Sequence, residues 1–292
     1  MVLAALTGIA LYASDKVPKV TIDSASLPGN EVLAERGKYL FDISGCDYCH
    51  TDSENAGPTL AGGREMDTPY GLFYSPNITP DKDSGIGKWK LEDFVRAMRH
   101  GVSPYGTHYF PAFPYTSYTR MTTEDMASIF TYLRSVPPVK KYNRQHKTAW
   151  FVWRGGMRFW KKIYFKTGEL AADPMLSGSL NRGHYLAAAV GHCEECHPRR
   201  NSVGTISPAV RYSGNIEGVL GEPTPNITSS RRSGIGKWTE KEIRKFLKTG
   251  VRPSGEQTQG WMADFVRTSL SKFNDDDAQA LTDYIKSIPE VD

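Results

Sequence analysis

The feature that most constrains this chain is a C-x-x-C-H pentapeptide that occurs twice, at Cys46–His50 and at residues 193–197. On a short helix, cysteines three positions apart lie on one side, and the following histidine lies beside them. This spacing is the attachment signature of a c-type haem, in which thiols bond the porphyrin and the histidine ligates the iron. The pattern predicts two haem c groups. The expected thioether cysteines and proximal histidines are Cys46, Cys49, His50, Cys193, Cys196 and His197.

The alternative interpretation is a zinc site, because two cysteine pairs and two histidines can supply four ligands. Each pair, however, is followed at once by its own histidine, and each heads its own copy of a longer repeat. The two motifs contain all four cysteines of the chain, so none remains for a disulfide. Haem is therefore favoured over zinc.

The longer repeat is a tandem duplication of the whole motif-bearing unit. Its two copies are expected to superpose by an approximate twofold axis or by a simple translation. The matching segments are residues 36–40 and 182–186, residues 76–79 and 225–228, and residues 84–89 and 233–238, the last pair being identical.

Each copy has the apolar spacing of helices. In the first copy the stripes cover residues 32–43, 91–98 and 126–133, and Gly101 and Pro137 are expected to end the second and third. In the second copy they pass through Tyr185, residues 243–247 and residues 281–288, with Asn274 as an N-cap for the last. No strand pattern is persuasive, so an all-α fold is predicted.

A segment between the copies lies outside the repeat and alternates aromatic side chains with lysine and arginine, from Trp150 to Lys166. One interpretation is a linker whose aromatic side chains pack into the groove between the two units. The other is an aromatic and basic surface that docks a membrane or a partner subunit.

The N-terminal segment, residues 1–14, is mostly apolar and is shorter than the roughly 20 residues of a membrane span. No basic residue precedes its apolar run, so it is interpreted as a partial signal or an anchor. Covalent haem attachment in bacteria takes place outside the cytoplasm, which predicts a periplasmic protein associated with the cytoplasmic membrane. The net charge of +4 gives no indication of a nucleic-acid partner.

Four segments of the chain resemble the multihaem cytochrome c subunits of bacterial membrane-bound dehydrogenases. These segments are residues 76–81, 85–89, 109–115 and 191–193, and the resemblance extends from about residue 33 to residue 289. Such subunits serve alcohol, gluconate, sorbitol, fructose and aldehyde dehydrogenases and related molybdenum hydroxylases. The well-known members carry three haems, whereas this chain has two motifs.

The resemblance implies two tandem class I cytochrome c-like domains, residues 15–139 and 176–292, joined by a linker of residues 140–175. It also implies electron transfer from the flavin or molybdenum centre of a dehydrogenase catalytic subunit toward quinone, a soluble cytochrome or an oxidase. No dinucleotide loop, nucleophile with its base or non-haem metal cluster is recognisable, so no catalytic activity is expected of the chain alone. The alternative is a dihaem enzyme, such as a peroxidase or thiosulfate dehydrogenase, with an exchangeable ligand at one iron.

Methionine is the sixth iron ligand that the resemblance implies, and a Met/His pair raises the iron potential. Met262 lies where the family places that ligand and is the only methionine after Cys196. The competing interpretation makes Met262 an ordinary core side chain. Weaker candidates for contact with haem propionates are Arg64, Trp89, Tyr115, Arg211 and Trp238.

The first copy does not place its methionine at the same position. Counted from the shared tryptophan, Phe113 falls opposite Met262; counted back from the shared C-terminal ending, Met121 falls opposite Phe273. We therefore predict that Met121 ligates the first iron and that Phe113 packs against that haem. In the competing interpretation Met121 only begins the helix capped by Thr122 or Thr123, and the iron is left to His108 or water.

Overall fold

The computed structural model describes residues 17–218 and 220–292, so the predicted N-terminal segment, residues 1–14, lies outside the described residues. The described chain is mainly helical, and the predicted helical fold is confirmed. No helix in this part of the chain is both long and apolar enough to cross a membrane. The helices are α1 (Asn30–Ile43), α2 (Cys46–His50), α3 (Leu91–His100), α4 (Tyr115–Tyr118), α5 (Thr123–Leu133), α6 (Arg154–Tyr164), α7 (Gly178–Tyr185), α8 (Glu240–Thr249), α9 (Gly260–Thr268) and α10 (Asp275–Ser287).

A small antiparallel sheet, which the sequence analysis missed, lies beside the first copy. Its strands are β1 (Glu65–Thr68), β2 (Gly71–Tyr74) and β3 (Lys147–Thr148), in that order. Gly71 pairs with Thr68 on one side and with Thr148 on the other. The third strand has only two residues and comes from the distant linker, so local periodicity gave no signal for it.

Helix boundaries follow the predicted stop and start signals closely. Gly101 ends α3 in the left-handed conformation, with φ of 60°, as Gly250 ends α8 with φ of 70°. The Asn274 side chain accepts a hydrogen bond from the Asp277 amide at 2.8 Å and caps α10. Helix α5 ends at Leu133, before the prolines predicted to stop it.

One close helix crossing recurs in both copies. In the first, α1 packs against α5, and a Cβ placed on Gly37 would lie 1.9 Å from the Ser128 carbonyl oxygen. In the second, α7 packs against α10, and a Cβ on Gly183 would lie 2.0 Å from the Ala280 oxygen. The glycine of each repeated R-G-x-Y-L segment is therefore required by backbone contact.

Replacing Gly37 with alanine is expected to lower the free energy of unfolding by about 3 kcal/mol, because the backbones of α1 and α5 must separate. The matched control is Gly178→Ala in α7, where an added Cβ meets nothing within 4 Å. Denaturant unfolding of the two variants checks the prediction, and equal stability would contradict it.

The two copies exchange equivalent contacts, as the halves of a twofold dimer do. The Tyr39 hydroxyl donates to Asp277 at 2.7 Å, and the Tyr185 hydroxyl donates to Asp125 at 2.5 Å. Each carboxylate also binds the arginine of its own copy: Arg36 reaches Asp125, and Arg182 reaches Asp277 through two nitrogens at 2.7 and 2.6 Å. This reciprocity indicates an approximate twofold axis and excludes a simple translation.

Helix α6 fixes the segment between the copies to both of them. The Lys161 side-chain nitrogen is buried and donates to the carbonyls of His100 and Gly101 at 2.8 and 2.6 Å, which caps the C-terminus of α3. Trp160 donates through its indole nitrogen to the Val203 carbonyl of the second copy at 2.8 Å.

Burial lowers the pKa of Lys161 from 10.5 to about 7. Between these values the unfolded chain holds a proton that the folded chain has lost, so stability rises with pH in that window. Relative to Lys161→Gln, the natural chain is expected to gain about 2 kcal/mol of unfolding free energy from pH 7.5 to pH 9.5. Urea titrations at both pH values measure the difference, and parallel pH profiles would contradict the prediction.

Candidate haem sites

Each C-x-x-C-H motif begins directly after a residue in the left-handed conformation. In the first copy this residue is Gly45, with φ of 70°, and the motif forms the short helix α2. In the second copy His192 occupies the same place, with φ of 40°, before a single turn of 3-10 helix, Cys193–Glu195. The His192 ring reaches the Ser44 carbonyl of the first copy at 3.2 Å. The left-handed backbone conformation of His192 thus occurs where its side chain contacts the other copy.

Both motif histidines are oriented by a proline carbonyl. His50 Nδ1 lies 2.7 Å from the Pro76 oxygen, and His197 Nδ1 lies 2.8 Å from the Pro225 oxygen. A proton on Nδ1 leaves Nε2 as the ligating nitrogen, which is how a second contact fixes the tautomer of a metal-binding histidine. Burial lowers the pKa of both imidazoles, so each is held in the neutral form that binds a metal.

The repeated Pro-Asn-Ile-Thr segment explains why these carbonyls are well placed. The Asn77 amide donates to the Val139 carbonyl at 2.8 Å, and its oxygen accepts from the Thr79 hydroxyl at 2.7 Å. Asn226 repeats both contacts, with the Val291 carbonyl at 2.6 Å and Thr228 at 2.7 Å. The asparagine therefore ties each proline loop to the C-terminal end of its own copy.

The four cysteines are free thiols, as attachment to a haem requires. Burial raises the pKa of Cys49 to about 12 and, together with Glu195, that of Cys196 to about 11. Both thiols are therefore held in the neutral form. Across residues 17–218 and 220–292, no three histidine, cysteine, aspartate or glutamate side chains form a metal-binding group.

Both motifs lie at the interface between the copies. Tyr48 of the first motif packs edge-on against Trp261 and Phe265 of the second copy, at ring-centroid distances of 5.7 and 5.5 Å. Glu195, at the equivalent place in the second motif, accepts hydrogen bonds from the Thr116 and Ser117 hydroxyls of the first copy, each at 2.6 Å. The first motif is thus covered by α9 of the second copy, and the second motif by α4 of the first copy.

In each motif an arginine side chain donates a hydrogen bond to the backbone carbonyl at the same position, although the two arginines do not correspond in the repeat. Arg64 donates to the Tyr48 carbonyl at 2.7 Å, and Arg200 donates to the Glu195 carbonyl at 2.8 Å. Arg64 also binds Asp264 at 3.2 Å across the interface, so its guanidinium has a structural role that the predicted propionate contact did not include. Their shared function was not apparent in the sequence.

Two buried carboxylates make the second motif strongly polar. Glu194 binds Arg120 of the first copy at 2.8 Å and lies 3.6 Å from Arg211. Burial by itself raises the pKa of Glu195, but Arg200 and the neighbouring hydroxyls outweigh it, so its pKa is lowered. Both carboxylates are therefore compensated by neighbouring charges.

The structure supports the alignment used to choose the methionines. Val102 pairs with His108 as Val251 pairs with Gln257, which places Phe113 opposite Met262. Arg99 donates to the Met121 carbonyl at 3.1 Å, as Lys248 donates to that of Phe273. The shift arises because Met121 follows Phe113 by 8 positions, whereas Phe273 follows Met262 by 11.

Met121 is fully buried, and Met262 is half-buried against the same core. Met121 directly precedes Thr122, which caps α5 as the competing interpretation expected; the Thr122 side chain accepts from the Asp125 amide at 3.1 Å. Phe113 packs against Tyr118 at a centroid distance of 5.7 Å. The assignment of the two methionines as iron ligands stays a prediction.

The residues of each site fit a haem c. They comprise paired thiols beside a neutral imidazole whose Nδ1 is already bonded, with a methionine in the same copy. Imidazole and thioether are a known ligand pair for haem iron. This donor set can hold an iron porphyrin covalently and ligate its metal on one or both faces.

Several curated proteins are similar to this chain over most of its length. The gluconate 2-dehydrogenase cytochrome c subunit of Pantoea cypripedii is 36% identical over 277 residues, which are 90% of this chain and 61% of that protein. The diheme cytochrome c-type protein of Cereibacter sphaeroides is 34% identical over 268 residues, 89% of this chain and 87% of the relative. The fructose dehydrogenase cytochrome subunit of Gluconobacter japonicus is 33% identical over 288 residues, 98% of this chain and 58% of the relative.

The chain spans about three fifths of the length of the gluconate and fructose dehydrogenase subunits. No protein-family model matches it. The Cereibacter relative is covered almost from end to end at 34% identity, and its name agrees with the donor set described above. The chain therefore belongs to the c-type cytochromes, in the family of the gluconate, alcohol and fructose dehydrogenase cytochrome c subunits.

Proposed function

We propose that this chain is a dihaem c-type cytochrome that transfers electrons from the catalytic subunit of a partner dehydrogenase, of flavin or molybdenum type. The acceptor is quinone or a terminal acceptor of the respiratory chain. The observation that carries the proposal is the duplicated motif, with each histidine bonded to its proline carbonyl at 2.7 or 2.8 Å. Relatives named as subunits of gluconate, alcohol and fructose dehydrogenases support the choice of partner.

Haem iron supplies reversible one-electron oxidation and reduction. The residues of this chain set its place and its ligands. The four cysteines would hold two haems covalently, and His50 and His197 would be the proximal ligands, with Met121 and Met262 as the distal ones. A thioether opposite an imidazole favours the reduced iron and so raises the potential.

The copies correspond in this proposal to two class I cytochrome c-like domains, residues 15–139 and 176–292, with residues 140–175 as the linker. Their reciprocal Tyr–Asp contacts hold the two motifs at a fixed separation. Rigid placement supports transfer between the two sites without a domain movement. We place the protein in the periplasm, associated with the cytoplasmic membrane.

Stopped-flow mixing tests the function directly. The purified chain is mixed anaerobically with a co-purifying dehydrogenase and the substrate of that enzyme, and the haem absorbance is followed. We expect both haems to be reduced within the turnover time of the dehydrogenase. No reduction by any co-purifying dehydrogenase would refute the proposal.

Carbon monoxide separates this function from a dihaem enzyme. An electron carrier with two methionine-ligated irons is expected to bind little carbon monoxide when reduced. Rapid binding at one haem per chain would instead favour an enzyme with an open iron.

A further inference from the structure

The surface of helix α6 and the segment before it carries large apolar side chains that remain exposed. The exposed fraction is 94% for Trp150, 62% for Trp153 and 70% for Ile163. We call this set the aromatic surface; its members are Trp150, Phe151, Trp153, Phe159, Ile163 and Tyr164. The predicted packing of these side chains into the groove between the copies is therefore wrong for these six.

Helix α6 departs in part from the pattern of an ordinary amphipathic surface helix. Its Lys161 is buried against the end of α3, while Phe159 and Ile163, one turn apart, are exposed. A surface helix normally turns its apolar stripe inward and its charged residues outward. Because the inward face is already fixed by Lys161, the outward apolar face indicates a second contact outside this chain.

The charge around the aromatic surface has a single sign. Residues 126–168 contain ten lysines and arginines and no aspartate or glutamate. The whole chain has a net charge of +4, so the remaining residues together carry 4 − 10 = −6. Lys147, Lys162 and Lys166 are among its exposed members. The positive charge of this segment therefore favours binding to an anionic partner.

We propose that the aromatic surface docks on an anionic lipid bilayer. Tryptophan, tyrosine and phenylalanine enter the headgroup region with their apolar parts, while the surrounding lysines and arginines bind lipid phosphates. Interleaved lysines favour lipid over a protein partner, because the cores of protein interfaces are depleted in lysine. This deepens the membrane association proposed above by naming the contact surface.

Helix α6 also contacts a loop of the first copy that leads to its predicted haem site. Arg154, at the start of α6, donates to the His108 carbonyl at 3.0 Å and stacks over the Phe110 ring at 4.9 Å. These residues belong to the loop that leads to Phe113 in the first copy. Trp160 of the same helix donates to the Val203 carbonyl of the second copy, so docking would bring both copies close to the bilayer.

The test uses the full haem-loaded chain and sedimentation with vesicles, scored by haem absorbance in the pellet. Vesicles of phosphatidylcholine with about one third phosphatidylglycerol are compared with phosphatidylcholine alone. We expect binding to the anionic vesicles, and at least tenfold weaker binding for Trp150→Ser/Trp153→Ser/Ile163→Ser. The matched control is Ile216→Ser, an isoleucine of the second copy that is 75% exposed. It should bind like the natural chain.

A second readout isolates this surface from any other membrane contact. In hydroxyl-radical footprinting, Trp150 and Trp153 should lose reactivity several-fold on the anionic vesicles, whereas Met175, which is 88% exposed, should not. Absence of vesicle binding, or binding without protection of the tryptophans, would overturn the proposal. Retained vesicle binding by the triple variant with loss of a co-purifying dehydrogenase would overturn it in favour of a protein partner. Neither assay measures electron transfer, so the proposed function is tested separately.

Discussion

A chain in which Cys46 and Cys49 are both replaced by alanine is expected to retain one covalent haem. The two thioether bonds of the first site depend on these thiols alone, since the other two cysteines belong to the second motif. After denaturation and acid–acetone extraction, we expect the haem absorbance remaining on the protein to fall by half. This is among the largest effects expected of any substitution, because it removes a whole cofactor.

The mirror variant, Cys193→Ala/Cys196→Ala, is the matched control and should also retain one haem. The spectra of the two variants should then sum to that of the natural chain, because each reports a different site. Two covalent haems remaining on either variant, or none on both, would contradict the assignment of one motif to one haem.

Replacing Met121 with alanine is expected to lower the potential of one haem by roughly 0.1–0.3 V, within the roughly 0.8 V that axial ligands span. Loss of the thioether removes the ligand that favours reduced iron and leaves a position that carbon monoxide can occupy. The absorption band of methionine-ligated ferric haem should disappear for that haem only. Spectroelectrochemical titration with and without carbon monoxide measures all three changes.

Met126→Leu is the control for loss of a buried methionine, because Met126 is as fully buried as Met121 but is a core residue of α5. Its potentials should match those of the natural chain. Met262→Ala should repeat the effect at the other haem. An unchanged spectrum and unchanged potentials in Met121→Ala would show that another group ligates the first iron.

The sequence predicted the elements whose signals are local. The glycine that ends α3 and the Asn274 cap follow from short-range chemistry, and the structure agrees with both, while the haem motifs are equally local signals whose haems stay a prediction. Because the chain is duplicated, each local signal could be compared between the two copies. This comparison is why the positions of Phe113 and Met262 could be matched before the fold was known.

Features that depend on distant parts of the chain could not be predicted in the same way. The Tyr39–Asp277 bond joins residues 238 positions apart, and neither side chain differs visibly from an ordinary helix residue. Arg64 and Arg200 brace equivalent carbonyls from positions that do not correspond in the repeat. The burial of Lys161 and the exposure of the aromatic residues beside it follow from the way α6 packs against α3. Apolar periodicity alone predicts the opposite, a buried aromatic face and an exposed lysine.

The central claim is that one chain holds two covalent haems. Intact-mass spectrometry of the denatured protein, isolated from cells able to attach haem c, tests it most directly. The account predicts a single species whose mass equals the polypeptide plus two haem groups. A mass that corresponds to one haem, or to the polypeptide alone, would contradict it.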